Sequence, residues 1–278
     1  MHLRRTGMCI ALAGAYLALS LTISFARLGN LVPRLAVLLI AVSFISIAAV
    51  MLMQLGFTVS LSRLQMKPAG TIIMGAVSAL VLAAVILVSA HIKSKAVPVA
   101  IGLSLARDLS IIVLAGSVGY GISFIIREPG ILLPVGLCAA IVDFWGVNWG
   151  PVNHVLTKAP KVVNAVSVAV PTPVPGLPST TIGPGDFVFL ALFFGVLYKF
   201  RMNVKGTFWL GYALLVLSMF AVLIFGLPIP ALVPMGIAVI LANIKKFKLS
   251  REEMLSTAIV AVFLSVLLTA ISIFIFKR

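Results

Sequence analysis

Nine apolar runs follow one another along the chain with short connections between them, and no other feature constrains the fold as strongly. Each run approaches the roughly 20 residues that an α-helix needs to cross a bilayer. They predict helices over residues 8–26, 35–58, 71–91, 97–125, 131–154, 183–200, 206–226, 228–244 and 254–276. The sequence therefore predicts an all-α polytopic membrane protein with about nine transmembrane helices.

The predicted helices form a single transmembrane domain over residues 1–278. Within it we distinguish N-terminal helices over 1–154, a connecting loop over 155–182 and C-terminal helices over 183–278. The prolines of the loop forbid a regular helix, and its valine-rich start alternates enough to form a strand.

The composition excludes a soluble core wrapped in a polar surface, because 62% of the residues are hydrophobic and 10% are charged. A formal net charge of +15 invites a nucleic-acid partner, but the Lys and Arg residues stand singly or in short groups between apolar runs. Such flanking charges orient membrane helices. We therefore expect the lipid bilayer as a partner and no nucleic acid. The Cys and His residues show no metal-ligand spacing, so we expect no metal or cofactor.

Asp143 and Asp186, which belong to the chain's six acidic residues, lie inside apolar segments that carry recognisable motifs. An ionisable residue at membrane depth is costly, so it indicates a functional site by default. Asp108 lies in the run 97–125 directly after Arg107, and no motif surrounds it. For Asp108 we expect a local ion pair or a helix kink rather than a catalytic role.

A pair of carboxyl groups fits the chemistry of peptide hydrolysis. One ionised carboxylate takes a proton from water, and one protonated carboxyl group donates to the carbonyl oxygen or to the leaving nitrogen. Two carboxyl groups in a site of low dielectric provide both forms, because like charges at close range do not readily ionise together. Such a pair titrates as a unit.

Irregular backbone is predicted near these acids. Gly183 and Gly185 flank Pro184 directly before Asp186; proline suits the first turn of a helix, and glycines permit close approach of other backbone. Further along, three prolines fall within the seven residues 228–234. Irregular backbone at membrane depth must border protein or a water-filled cavity, and it can hold an extended substrate by strand-like pairing.

An Asp in one helix, GPGD opening the next and PAL opening a later one occur here in that order. This set resembles the GxGD intramembrane aspartyl proteases, the presenilin and signal peptide peptidase group, over roughly 131–236. The stretch from Asp143 to Pro171 is similar to archaeal presenilin homologues. The resemblance implies a presenilin-like bundle in the cell membrane and transmembrane proteins or peptides as substrates. It also implies a catalytic dyad of Asp143 and Asp186. By the same resemblance, Gly183 and Gly185 shape the site. The PAL sequence that lines it is Pro230, Ala231 and Leu232.

The chain departs from this family in two respects. Val142 precedes Asp143 where family members usually carry Tyr. The two Asp residues also fall on the fifth and sixth predicted helices, whereas the family has them on the sixth and seventh. Either 97–125 contains two short spans, or the chain lacks an early helix and gains a late one, 254–276, which fills the vacated place.

Two other function classes remain open. A proton- or cation-coupled transporter also uses buried carboxylates and broken helices, although transporters usually show internal repeats, and we find no convincing pair of matched halves. Prepilin-type peptidases share GxGD, but they typically carry a basic residue two positions after the Asp, where this chain has Val188.

Overall fold

The structure, a computed structural model, describes residues 2–26, 36–91, 97–148, 166–173, 180–225, 229–247 and 251–271. These ranges contain the α-helices α1 (His2–Phe25), α2 (Ala36–Arg63), α3 (Pro68–His91), α4 (Val97–Ser123), α5 (Leu132–Asn148), α6 (Pro184–Lys199), α7 (Val204–Phe225), α8 (Leu232–Asn243) and α9 (Arg251–Ile271). Two short strands, β1 (Val168–Val170) and β2 (Thr180–Ile182), pair antiparallel with Ala169 opposite Thr181. A helix is therefore present in each predicted run, and the end of the predicted strand segment is a strand.

Seven of the nine described helices are long and apolar enough to cross a membrane, the exceptions being α6 and α8. These two helices have 16 and 12 residues. At 1.5 Å per residue they reach only about 24 and 18 Å, against a hydrocarbon core of about 30 Å. The protein is therefore a nearly all-helical membrane protein, and its two short helices are those that begin at the GPGD and PAL sequences.

Some helix ends differ from the prediction. The run 228–244 gives a helix only from Leu232, because proline disfavours helical backbone in the residue before it. In the other direction, α2 continues five residues beyond 58. The hydroxyls of Ser60 and Ser62 bond to carbonyl groups of their own helix, so these polar residues extend α2 rather than end it. Among the residues predicted to be helical, 35, 149–154, 226, 228 and 272–276 lie outside the described ranges, as do 155–165 and 174–179 of the predicted connecting loop.

The run 97–125 forms one continuous helix of 27 residues. The alternative in which it holds two short spans is therefore wrong.

The chain folds into two compact units, and each is built from two separate stretches of sequence. The first comprises Met1–Ser123 and Asn164–Gly195, and the second comprises Phe124–Val163 and Val196–Arg278. In the first unit α1 packs on α2, α3 packs on α4, and β1 contacts both α2 and α4. In the second unit α8 packs against α5 and α7, and α9 also contacts α5. The late helix is thus packed against the helix that carries Asp143.

A small residue permits the crossing of α4 and α6 in the first unit. A Cβ atom at Gly119 would collide with the backbone carbonyl of Val188, which is two residues beyond Asp186. Backbone cannot give way as the end of a flexible side chain can. The closeness of α4 to the start of α6 therefore depends on the absence of a side chain at Gly119.

We expect Gly119→Ala to destabilise the protein by about 1–3 kcal/mol, since an added methyl group in a close-packed crossing forces the backbone apart. Gly121→Ala is the matched control, because no described atom outside its own helix backbone and chain neighbours lies within 4 Å of a Cβ there. The measurement is thermal unfolding in detergent micelles. Equal unfolding temperatures for the two variants would contradict the packing argument.

Candidate functional site

Asp143 lies on α5 and binds the start of α8. Its Oδ2 atom accepts a hydrogen bond from the backbone N–H of Leu232, at 3.1 Å. Leu232 is the first residue of α8 and is buried, while Asp143 is partly buried. The acid predicted as catalytic and the predicted PAL segment are therefore in direct contact.

This contact helps to satisfy the backbone N–H groups in the first turn of α8, because no earlier helical turn supplies acceptors for them. The Leu232 N–H binds Asp143, and the Val233 N–H donates to the carbonyl of Pro230 at 3.3 Å. Pro234 has no N–H, and the Met235 N–H donates to the carbonyl of Ala231 at 3.2 Å. The prolines that break the chain before α8 thus leave one amide for a side-chain acceptor, and Asp143 supplies it.

The absence of a side chain at Gly236 permits α5 to lie close enough to α8 for this bond. A Cβ atom at Gly236 would lie 3.2 Å from the carbonyl oxygen of Gly136. Because Gly136 precedes Asp143 by seven residues and Gly236 follows Leu232 by four, the two helices run antiparallel. Backbone packed directly on backbone sets the distance across which Asp143 reaches Leu232.

Asp186 lies in the first turn of α6, which begins at Pro184, one residue after the predicted start at 183. Pro184 is in the first turn, as predicted. Its Oδ2 atom accepts the backbone N–H of Gly183 at 3.2 Å, and its own N–H donates to the Gly183 carbonyl at 3.2 Å. An acidic side chain at the third position of a helix can accept the N–H of the residue just before the helix. This contact is one half of a capping box. Local sequence thus holds the Asp186 carboxylate against the loop before it.

The two glycines of GPGD have different surroundings. A Cβ atom at Gly183 would lie 3.6 Å from Oδ2 of Asp186, which is an ordinary van der Waals contact. At Gly185 no described atom lies within 4 Å of such a Cβ, and the residue is exposed. The space beside Asp186 therefore opens at Gly185.

Asp108 forms the predicted ion pair with Arg107, at 2.8 Å. It also makes a contact that the sequence did not indicate, because its Oδ2 accepts the backbone N–H of Ala169 in β1 at 3.2 Å. Gln54 of α2 donates from Nε2 to the Ala169 carbonyl at 3.3 Å. A buried acid in the middle of an apolar run was the available signal, but its partner lies 61 residues away.

Each of the two predicted catalytic carboxylates lies at the N-terminal end of a short helix: Asp143 at that of α8, and Asp186 at that of α6. The N-terminus of a helix carries partial positive charge, which stabilises a nearby anion. The backbone hydrogen bond and this partial charge therefore both favour the ionised form of each carboxylate.

An apolar hollow of about 340 Å³ lies beside α5 in the second unit. Its lining includes Phe144 and Trp145 of α5, Val233 of α8, and Leu268 and Thr269 of α9. This lining fits apolar side chains or acyl chains. No group of three or more His, Cys, Asp or Glu with the geometry to hold a metal ion occurs in the part of the chain that the structure describes.

The predicted site residues fall into two groups. Asp143, Pro230, Ala231 and Leu232 lie together in the second unit; Gly183, Gly185 and Asp186 lie together in the first.

If Asp143 is the acceptor for α8, replacing it should free the Leu232 amide. We expect Asp143→Leu to accelerate hydrogen exchange at this amide by about ten- to hundredfold, since a hydrogen bond to a charged group is lost. Asp143→Asn retains an oxygen acceptor and is the matched control, with a much smaller change. Exchange is measured by mass spectrometry on peptides covering 229–235. Identical exchange in all three proteins would show that the contact does not hold α8.

Comparison with protein-family models, curated proteins and solved structures gives no match to this chain. Its function is therefore inferred from the residues themselves.

Proposed function

We propose that this protein is an intramembrane aspartyl protease of the GxGD type, an endopeptidase in the cell membrane that hydrolyses peptide bonds within transmembrane segments. The observation that carries the proposal is that two acids from apolar segments, Asp143 and Asp186, each bind backbone N–H at the start of a short helix. The helix starts are those of the PAL and GPGD sequences, in the order that resembles this family. In this proposal α6 and α8, together with adjoining irregular backbone, complete a presenilin-like bundle of nine spanning segments.

The proposed reaction divides the proton transfers between the two carboxyl groups. The ionised one takes a proton from a water molecule, whose oxygen attacks the carbonyl carbon of the peptide. The protonated one donates a hydrogen bond to the carbonyl oxygen and then a proton to the leaving nitrogen. The tetrahedral intermediate then collapses with release of the amine. This mechanism requires both carboxyl groups to reach one water. Each group uses one oxygen for its backbone amide, and this contact limits its rotation.

A substrate must present extended backbone, because a peptide bond inside a helix is shielded by the neighbouring turns. Two features favour such a substrate. Ile229 and Pro230 lie outside any helix, and the side of Asp186 at Gly185 is open among the described residues. Irregular backbone next to a carboxylate offers strand-like pairing to an unwound segment. The apolar hollow beside α5 fits the side chains that transmembrane segments carry.

The dyad predicts that Asp143→Asn and Asp186→Asn each lower the rate of cleavage by about 10²–10⁴-fold, since each removes one proton-transfer group. Both variants should remain folded, because Asn still accepts the backbone hydrogen bond at either position. The assay is incubation of purified protein with a generic transmembrane peptide and identification of products by mass spectrometry.

Glu128→Gln is the control for loss of an acid, since Glu128 is exposed at the start of a short 3-10 helix outside the candidate site. Cleavage near the wild-type rate in either Asp variant would remove the dyad. If the wild-type protein cleaves no peptide but conducts protons or cations in liposomes, and either Asp variant stops this flux, the transporter alternative replaces the protease.

The open space at Gly185 predicts a dependence on side-chain size. We expect Gly185→Leu to raise the KM for a transmembrane peptide about tenfold or more, because the side chain fills the approach to Asp186, while Gly185→Ala has a smaller effect. Gly102→Leu is the control, since Gly102 is also exposed with open space around it and lies on α4 outside the site. An unchanged KM in Gly185→Leu would place the substrate elsewhere.

A further inference from the structure

The outer edge of the β1–β2 hairpin is bound by side chains rather than by another strand. In an antiparallel pair, alternate residues direct both backbone polar groups away from the partner strand. Ala169, the middle residue of β1, is such a residue, because its N–H binds Asp108 and its carbonyl binds Gln54. In a membrane protein these groups need protein partners, since water is scarce. Asp108 and Gln54 together satisfy both.

The charge of Asp108 suits this role. The side chain is almost fully buried, and Arg107 donates to its Oδ1 through Nε at 3.0 Å and Nη2 at 2.8 Å. Both donors meet at Oδ1, so this contact holds that oxygen and leaves Oδ2 for Ala169. An ionised carboxylate only accepts hydrogen bonds, so it matches donors on both sides.

The orientation of Gln54 is set by the same strand. Its Nε2 donates to the carbonyl of Ala169 and to the hydroxyl of Tyr16, while its Oε1 is buried without a partner among the described residues. The Ala169 carbonyl can only accept, so the amide nitrogen must face it. Gln54 thus leaves its own oxygen unsatisfied in order to hold β1.

The hairpin leads directly to Asp186. Ala169 lies opposite Thr181 in the ladder, β2 ends at Ile182, and the next amide, that of Gly183, donates to the Asp186 carboxylate. Helix α2 also contacts α6, the helix that follows the hairpin. Ser62, two turns beyond Gln54 on α2, donates to the carbonyl of Ala191 in α6 at 3.2 Å. We therefore expect a shift of β1 to displace Gly183, while the bond from Ser62 to Ala191 holds α6 in place.

We propose that Asp108 and Gln54 are positioning residues for Asp186: by binding both polar groups of Ala169 they fix the hairpin, and with it the Gly183 amide that binds the Asp186 carboxylate. The effect on cleavage rests on the proposed protease function, whereas the effect on the hairpin does not. Neither residue takes part in proton transfer.

The test compares Asp108→Asn and Gln54→Leu with wild type in two measurements on the full chain. The first is amide hydrogen exchange over 166–170 and 180–186, with 204–222 as an internal reference. The second is peptide cleavage with kcat and KM determined separately. Asn at position 108 has one oxygen and one NH2 group, so it cannot accept from both Arg107 and Ala169. Asp186→Leu frees the Gly183 amide directly and serves as the positive control for exchange.

We expect exchange at Ala169 and Gly183 to accelerate by about tenfold or more in both variants, since charged or buried hydrogen bonds are lost, with the reference unchanged. We also expect kcat to fall by about ten- to hundredfold with KM nearly constant, because a displaced catalytic group still permits binding. Ser110→Ala and Thr58→Val are matched controls on α4 and α2, since among the described residues each hydroxyl donates to a carbonyl of its own helix. Both controls should match wild type.

Three results would overturn the positioning role. Exchange at Gly183 equal to wild type would show that the hairpin does not depend on these side chains. Acceleration of the reference segment as well would show a loss of overall stability. Faster exchange at Gly183 with an unchanged kcat would show that the hairpin does not position Asp186. If wild type cleaves no peptide, the protease proposal fails, and exchange at Gly183 still decides whether Asp108 and Gln54 hold the loop.

Discussion

Backbone amides in the non-helical parts of this membrane protein need acceptors, and its scarce carboxylates supply them. Three of the six acidic residues each accept one main-chain N–H: Asp108 from Ala169, Asp143 from Leu232 and Asp186 from Gly183. An unpaired amide in hydrocarbon costs several kcal/mol, so these contacts maintain the irregular backbone beside the candidate site. Two of the three acids are therefore both structural acceptors and proposed catalytic groups.

This double use explains why the two site helices are short. Helices α6 and α8 begin where prolines and glycines interrupt the chain, and both present N-terminal amides to a carboxylate. A continuous spanning helix would satisfy its own amides and leave a buried acid without donors. The interruption favours the ionised form of the acid through hydrogen bonding and the helix dipole, and it supplies the non-helical backbone beside which we propose that an extended substrate binds. Structural and chemical requirements are met by the same breaks in the chain.

Features that depend on neighbouring residues could be predicted from the sequence, and features that depend on distant ones could not. Apolar runs located the helices because crossing a bilayer imposes length and composition locally, and Pro184 marked the start of α6 because its preference is local. The ion pair of Asp108 was predictable because Arg107 is its neighbour. The end of α2 was missed because hydroxyls that bond to their own helix look like a boundary in a hydropathy pattern. The start of α8 was placed too early because apolar composition masked the effect of Pro230.

The sequence alone determined that the chain is a helical membrane protein, which acids are anomalous and where the backbone must break, since each follows from residue type and nearest neighbours. Only the tertiary structure decided what each acid binds. The contacts of Asp143 with Leu232 and of Asp108 with Ala169 join residues 89 and 61 positions apart. Both contacts depend on how closely the elements pack, and for Asp143 and Leu232 the absence of a side chain at Gly236 permits the close approach. Hydropathy cannot encode such distances, because helix packing is fixed by side-chain shape at the crossing.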